Sequence, residues 1–295
     1  MKKKQVKPRL APKQSDIVIT PEGEIFHSFL WSDLVQEEEA PEVLDYPRLE
    51  DDQSYLKLYQ SCKMCPKLCG FDRVKARHPG CGSVDMEIST WGLTMGDEKE
   101  LVGTHGSGAI LLAGCPLTCP SCHNPEMVEQ GFSSSLNDFV EICYKMLAQG
   151  AHNIQILSPT VHFAKLKVLL KHLKKNKFPI PILLKSSGVE SIGWLNQFLG
   201  LVDIFVPDFK YGPCSKFAMR SGFENYFVQA QRTINHMIKL VGKPVLENGV
   251  LTRGVLIRHV KAPIPEDERN KIYNYFESLG DKALISINDN FINLE

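Results

Sequence analysis

The sequence predicts an α/β fold of parallel strands, and three observations carry that prediction. From residue 109 onward, short apolar or β-branched runs alternate with segments of helical periodicity. Three of those helical segments end in glycine, where a left-handed cap is wanted. The first apolar run leads straight into a loop with three cysteines, and in parallel sheets the chemistry lies at the C-terminal strand ends. Six such runs are too few for a complete eight-fold barrel. They fit an open, partial (β/α)6 barrel or, alternatively, a doubly wound sheet.

In chain order the strand candidates are AILLAGC (109–115), NIQILSP (153–159), PILLKSS (181–187), VDIFVPDF (202–209), GVLIRHV (254–260) and ALISIND (283–289). The helical segments between them cover 136–150, 161–176, 192–200, 224–242 and 265–280, and the glycines at 150, 242 and 280 close three of them. Strand–helix alternation implies parallel strands joined by right-handed crossovers.

The N-terminal part has a different composition. Residues 1–54 are rich in Pro, Glu, Asp and Lys, with an acidic run at Glu37–Glu39. One apolar patch (25–35) interrupts them. They read as an extended arm whose patch docks on the body or on a partner. Residues 55–100 hold a four-cysteine knuckle, and residues 101–295 the strand–helix domain.

Charge and hydropathy exclude several classes. Lys plus Arg and Asp plus Glu both number 34, and nothing beyond Met1–Lys4 is strongly basic, so composition gives no support to nucleic-acid binding. No apolar run approaches a membrane span, and no apolar signal segment follows the basic N-terminus. Nine clustered cysteines then read as metal ligands in a reducing cytoplasm rather than as disulfides.

Two cysteine groups stand out. The segment GCPLTCPSCHNPEM (114–127) spaces Cys115, Cys119 and Cys122 as C-x3-C-x2-C, with Pro116 and Pro120 favouring a rigid loop. Three thiolates leave one corner of a tetrahedral zinc site open unless a fourth ligand such as His123 joins. In a [4Fe–4S] cube they leave one iron free to bind a substrate or cofactor. Upstream, Cys62, Cys65, Cys69 and Cys81 suit either a structural zinc knuckle or an auxiliary iron–sulfur cluster. Cys143 is expected in the core of a helix, and Cys214 as an inert loop cysteine. His162 and the HLKK stretch are expected on a helix surface.

The C-x3-C-x2-C loop after a first strand resembles the radical S-adenosylmethionine (SAM) superfamily. The blocks GSGAILLAGCPLTCPSCHNPE, ILSPT, PILLKSSGVE, VDIFVPDFKY and GVLIRHVKAP, together with the upstream knuckle, resemble the pyruvate formate-lyase activating enzyme-related proteins of the PflX-like branch. The resemblance implies a partial (β/α)6 barrel, a [4Fe–4S] cluster on Cys115, Cys119 and Cys122, and SAM chelated at the open iron. It implies reductive cleavage of SAM and abstraction of hydrogen from a substrate, in one variant the glycine of a partner enzyme. A reductant such as flavodoxin or ferredoxin is implied with it. On this resemblance Asn124, Ser158, Thr160, Ser187, Gly188, Asp208, Lys210 and Arg258 are cofactor contacts. The sequence departs from the family at three points. Ser121 stands where an aromatic residue usually precedes the third cysteine. Ser158-Pro159-Thr160 replaces a turn that carries a glutamate. The chain ends at Glu295, where the family continues with a helix, so the barrel is expected to be open at that edge or closed by the arm. A metal-binding scaffold that kept the fold and lost the chemistry is the alternative reading.

Overall fold

The computed structural model describes residues 18–19, 25–26, 45–50, 53–96, 98–120, 122, 124–125, 129–260 and 264–288, with only the backbone of 18–19, 25–26 and 260. Most of the apolar patch at 25–35, the acidic run, Ser121 and His123 lie outside the described residues.

The chain forms a mixed α/β structure around a central, mostly parallel sheet that does not close. In chain order its elements are a short antiparallel ribbon of β1 (Val18–Ile19) and β2 (Ile25–Phe26), then α1 (Leu56–Tyr59), β3 (Met86–Thr94), α2 (Lys99–Val102), β4 (Ser107–Leu112), β5 (Phe132–Ser134) and α3 (Leu136–Ala148). There follow β6 (Ile154–Leu157), α4 (Phe163–Lys175), β7 (Ile182–Ser186), α5 (Ile192–Leu195), β8 (Ile204–Pro207), α6 (Lys216–Arg220) and α7 (Tyr226–Val241). Last come β9 (Val245–Glu247), β10 (Val250–Val260), α8 (Glu266–Leu279) and β11 (Leu284–Asn288).

The main sheet runs β11-β10-β8-β7-β6-β4-β3-β5, with β9 paired to β10. The six expected strands are β4, β6, β7, β8, β10 and β11, all parallel and adjacent in chain order. That order never reverses, as the order of a doubly wound sheet does at its switch point. Three antiparallel strands were not expected. β3 extends the sheet past β4, β5 pairs with β3, and β9 folds back on β10. The knuckle segment therefore contributes a strand to the same sheet as the later domain.

Chain-order winding with right-handed crossovers puts the helices on one face. On that face Ile110, Ile156, Leu184, Phe205 and Val255 pack with Phe139, Leu166, Ile234 and Phe276 from α3, α4, α7 and α8 in one large core. Cys143 belongs to it, as expected. The other face carries a small apolar cluster of Leu183, Ile204, Val206 and Leu256, plugged by Leu101 of α2 and by Leu251. Local signals agree with these elements. Ser135 and Asp138 form a capping box at the start of α3. Gly242 and Gly280 end α7 and α8 with positive φ, at 79° and 55°.

The tail of the arm docks on the helical side. The Tyr46 hydroxyl donates to Glu141 at 2.8 Å, and Asn137 pairs with both backbone groups of Leu49. His162 corrects one expectation. It is buried, with Nε2–H donating to the Ala113 carbonyl at 2.7 Å, because a 3-10 turn (Pro159–His162) precedes α4 and directs the ring under β4.

Candidate functional site

The cysteine loop begins where β4 ends. Gly114 has φ of +91°, and a Cβ there would lie 2.9 Å from the Cys81 carbonyl, so only glycine lets the knuckle backbone approach. The Cys115 amide donates to the Gly80 carbonyl at 3.0 Å, which ties the two cysteine regions together. On the other side, the Thr118 amide donates to the Ser221 carbonyl at 3.2 Å, and the Thr118 hydroxyl to the Arg220 carbonyl at 3.1 Å.

Two of the three thiols each face a backbone amide. Leu117 N–H points at Cys115 Sγ at 3.5 Å, and the Asn124 amide donates toward the Cys122 sulfur. Burial pushes the Cys115 thiol up to about 12, opposed by the Leu117 amide and the Lys210 ammonium. Cys122 is raised by burial too and is likewise opposed by Lys210. Cys119 and Cys122 both act on Cys115, so the sulfurs lie near one another. Yet among the described residues no three Cys, His, Asp or Glu side chains are gathered as donors for one metal ion. Three thiols on one loop match either a zinc site completed by a fourth donor or a cube whose irons are held by separate thiolates. Buried thiols and directed amides also suit a bound cation, which makes thiolates of them.

Beside this loop runs a chain of charges across the strand ends. Lys185 Nζ lies 3.7 Å from Glu98 Oε2, and Arg258 Nε donates to Glu98 Oε1 at 2.5 Å. Arg258 Nη1 is 3.5 Å from Asp208 Oδ1, and Lys210 Nζ is 2.6 Å from Asp208 Oδ2. Among the described residues three cations and two carboxylates meet here, a cluster of paired charge at the strand ends. Burial alone would raise the Asp208 carboxyl, but Lys210 and Arg258 bring it below its usual value. Burial would lower Lys210, and Asp208 with Cys119 takes it well above. Arg258 and Asp208 sit side by side as a parallel bridge continuing the β8–β10 pairing.

The remaining predicted residues divide. Gly188 is closely fitted: a Cβ would lie 2.3 Å from the Asp208 carbonyl. Ser158 adopts a left-handed conformation, φ 55° and ψ 43°, at the end of β6, and its amide donates to the Lys185 carbonyl. Asn124 contributes its backbone to Cys122. The Thr160 and Ser187 hydroxyls both donate to Glu190 Oε1, at 3.0 and 3.1 Å. Glu190 is fully buried and its carboxyl is raised by burial, with hydroxyl hydrogen bonds opposing. Both hydroxyls thus hold a carboxylate that the reading of the turn alone did not find.

Four residues that line this arrangement had no part in the sequence expectations: Glu98, Lys185, Glu190 and Tyr226. The Tyr226 hydroxyl lies 2.8 Å from the Ser187 carbonyl and 2.7 Å from the Asp208 carbonyl, and it accepts from the Lys210 amide at 3.0 Å. It joins the loops after β7 and β8. Only Lys185 carried a signal, as a charge inside a strand otherwise apolar on both faces. Gln155 of β6, 1% exposed, also faces the inner side, and its two amide atoms have no hydrogen-bond partner among the described residues.

The knuckle is built differently. Cys62 and Cys65 are buried, Cys81 is half-buried and Cys69 is exposed. Arg73, 2% exposed, inserts behind them and donates to the Val161, Gly82, Cys81 and Ser83 carbonyls. Its guanidinium also stacks 4.9 Å from the Tyr59 ring centroid. Burial pushes the Cys81 thiol up to about 11, with Arg73 opposing. Cys214 is exposed, at φ of 62°.

No family model matches the chain. It is 25% identical over 241 residues to an uncharacterized protein of Methanocaldococcus jannaschii, a match that covers 78% of this chain. The chain spans 65% of that relative's length. No helix among the described residues is long and apolar enough to cross a membrane.

Proposed function

We propose that this chain is a radical SAM enzyme on a partial (β/α)6 barrel, with Cys115, Cys119 and Cys122 holding a [4Fe–4S] cluster. The observation that carries the reading is the chain of charges at the strand ends, in which Asp208 pairs with Lys210 and Arg258 and Glu98 pairs with Arg258, beside the loop of three cysteines. Thiol loop and cationic strand ends are therefore one site. When bound, cluster and SAM together supply reductive cleavage of SAM and abstraction of hydrogen from substrate.

The chain's own residues do the rest. The Leu117 and Asn124 amides donate to the cluster sulfurs. Lys210 and Arg258 offer positive charge to a carboxylate, and Asp208 and Glu98 hold both cations in place. Glu190 fixes Thr160 and Ser187, so those two turns present a set arrangement to a ligand. Tyr226 and Gly188 keep the strand ends close enough for both turns to reach it. Below them the cluster around Leu183, Val206 and Leu256 keeps water from the inner face. The substrate is a small molecule or the glycine of a partner enzyme, and the electron comes from a carrier such as flavodoxin or ferredoxin. The 62–81 knuckle takes structural zinc or an auxiliary cluster.

Anaerobic reconstitution tests the reading. The wild-type chain is expected to take up iron and sulfide in the ratio of a [4Fe–4S] cluster and to release 5′-deoxyadenosine from SAM with a reductant. The triple Cys115→Ala, Cys119→Ala, Cys122→Ala variant should lose that iron. Unchanged iron would sink the assignment, and a cluster without SAM cleavage would favour the scaffold reading. Metal analysis of the triple variant also identifies the knuckle's metal: zinc, or iron with sulfide.

A further inference from the structure

We infer that the face formed by Lys67, Leu68 and α6 docks a small acidic protein that carries one electron, and that the electron enters through Thr118. The inference rests on the cluster reading above. α6 is held from within: Ala218 is fully buried, and Phe217 stacks on Tyr211 with centroids 6.4 Å apart and planes at 11°. Lys216, Met219 and Arg220 are left facing outward, and all three are exposed. Residues three and four apart share one side of a helix, so they form a single strip.

Two other segments meet this strip. A Cβ on Gly222 would lie 3.1 Å from Lys67 Nζ and 3.7 Å from Thr118 Oγ1, so the knuckle's lysine reaches across to the end of α6. The Gly222 amide donates to the Met219 carbonyl at 2.9 Å, and the Thr118 hydroxyl donates to the Arg220 carbonyl at 3.1 Å. Leu68, next to Lys67, is 56% exposed, and Met219 is 52% exposed. Two apolar side chains therefore stand among basic ones.

The charge of this face is local. Segments 63–70, 114–125 and 214–225 together hold Lys63, Lys67, Lys216 and Arg220 against one carboxylate, Glu224, in a chain whose charges otherwise balance. Such a surface steers an acidic partner. Its position says what the partner brings. Thr118 is exposed, and Cys119 is the next residue, so a carrier seated here has one peptide unit between itself and a cluster ligand. Cys69, also exposed, follows Leu68, so both cysteine groups come to the surface on this face. Electron-transfer encounters use small interfaces, in which charge counts for more than area. The carrier loses one electron and the cluster gains it; no bond forms or breaks, and no proton moves.

The test mixes reconstituted protein anaerobically with photoreduced flavodoxin, an acidic carrier, and follows cluster reduction by stopped-flow absorbance. The wild-type rate should fall steeply as salt rises, because screening removes the steering. Lys67→Glu with Lys216→Glu should slow it about tenfold or more at low salt, with the gap closing at high salt. Lys239→Glu, an exposed site near the far end of α7, should leave it unchanged. SAM cleavage driven by a small photoreduced deazaflavin should be equal in all of these proteins. If the double variant loses iron, Lys67→Gln with Lys216→Gln and the wild-type salt dependence decide. A rate indifferent to salt, or a charge-reversed protein as fast as wild type, overturns the docking face and leaves the cluster reading standing. A loss shared with deazaflavin also overturns it, since the damage then lies at the cluster. Wild-type chain that takes up no [4Fe–4S] cluster overturns both.

Discussion

Leu184 and Lys185 are neighbours in β7 and face opposite sides of the sheet. Leu184 is 1% exposed and lies in the large core beneath the helices. Lys185 is nearly as buried, yet it points at Glu98 and joins the chain of charges. The same contrast repeats along the strands: Ile154 and Ile156 against Gln155, Val255 and Ile257 against Arg258. A strand buried on both faces does not need charge for its own stability, and burying charge is costly unless it is paired. The helical face holds the fold together, and the opposite face, at the strand ends, gives up stability for a site.

The largest effect should come from the helical face. Leu184→Ala leaves a cavity where collapse is hindered on all sides, and is expected to cost about 2–5 kcal/mol in denaturant unfolding. Lys185→Met, one residue on, should cost clearly less, because Glu98 keeps Arg258 at 2.5 Å. If Lys185→Met unfolds as readily as Leu184→Ala, the division of labour between the two faces is wrong.

Next in size is a pH effect at the border between the faces. His162 donates from Nε2 to Ala113, while buried Nδ1 has no partner among the described residues. Burial brings its pKa from 6.5 down to about 4, with Arg73 helping and Ala113 opposing. The unfolded chain therefore takes up the proton first as pH falls. The contribution is complete above the unfolded value of 6.5 and is lost as pH falls through the folded value of about 4. The full loss is about 3 kcal/mol at 1.36 kcal/mol per pKa unit. His162→Gln keeps a donor for Ala113 and removes the titration, so its unfolding midpoint should vary less between those limits. A parallel pH profile for both proteins would assign the loss to other groups.

Much of this arrangement could be read from the sequence, and the part that could not has a physical reason. The six parallel strands showed as short apolar runs, and four of the five helical segments showed through a repeated helical period, while 192–200 holds only the short α5 and a 3-10 turn. β5 and β9 have three residues each, too few for any period. β3 is half-buried and interrupted by Gly92, and the surrounding cysteines drew the eye to metal chemistry instead. The grouping of Cys115, Cys119 and Cys122 was legible because residues on one loop keep their spacing in the sequence. Asp208 and Lys210 were legible only through the family resemblance, since β8 ends at Pro207, before either of them. Glu98 belongs to neither case: it is 87 residues from Lys185 and 160 from Arg258, and only the strand order brings them together. Thr160 and Ser187 were found without the buried Glu190 that both of them bind, for the same reason.

The site face should show the reverse pattern, function lost and stability kept. Asp208→Asn and Lys210→Ala each remove part of a pair that keeps roughly a quarter of its side-chain surface in solvent, so their stability cost should be about 0–1 kcal/mol. SAM affinity should fall about tenfold, or about 1.4 kcal/mol, with iron unchanged. Iron content, thermal midpoint and SAM binding on the same samples sharpen the comparison. Unchanged SAM affinity in both variants would return the pair to an ordinary structural role.

The smallest effect, and the one with the unusual sign, concerns Gln155. Its neighbours across the strands are Ala109 on β4 and Leu183 on β7, and beyond Ala109 lies Gly92 on β3. Two of the smallest residues thus lie on one side of a buried amide whose oxygen and nitrogen have no hydrogen-bond partner among the described residues. An unsatisfied buried amide costs about 1–3 kcal/mol, and a leucine of similar size would not carry that cost. Gln155→Leu is therefore expected to leave stability unchanged or raise it by about 1 kcal/mol, where polar-to-apolar changes are otherwise of little account. The same measurement on Ile156→Asn, one residue along and facing the helices, should go strongly the other way. A loss of more than about 1 kcal/mol in Gln155→Leu would mean that the amide holds an ordered water, since a polar niche of that kind retains one only when it makes several bonds. A gain in stability accompanied by lost hydrogen abstraction would mark the amide as a group kept for what binds above it.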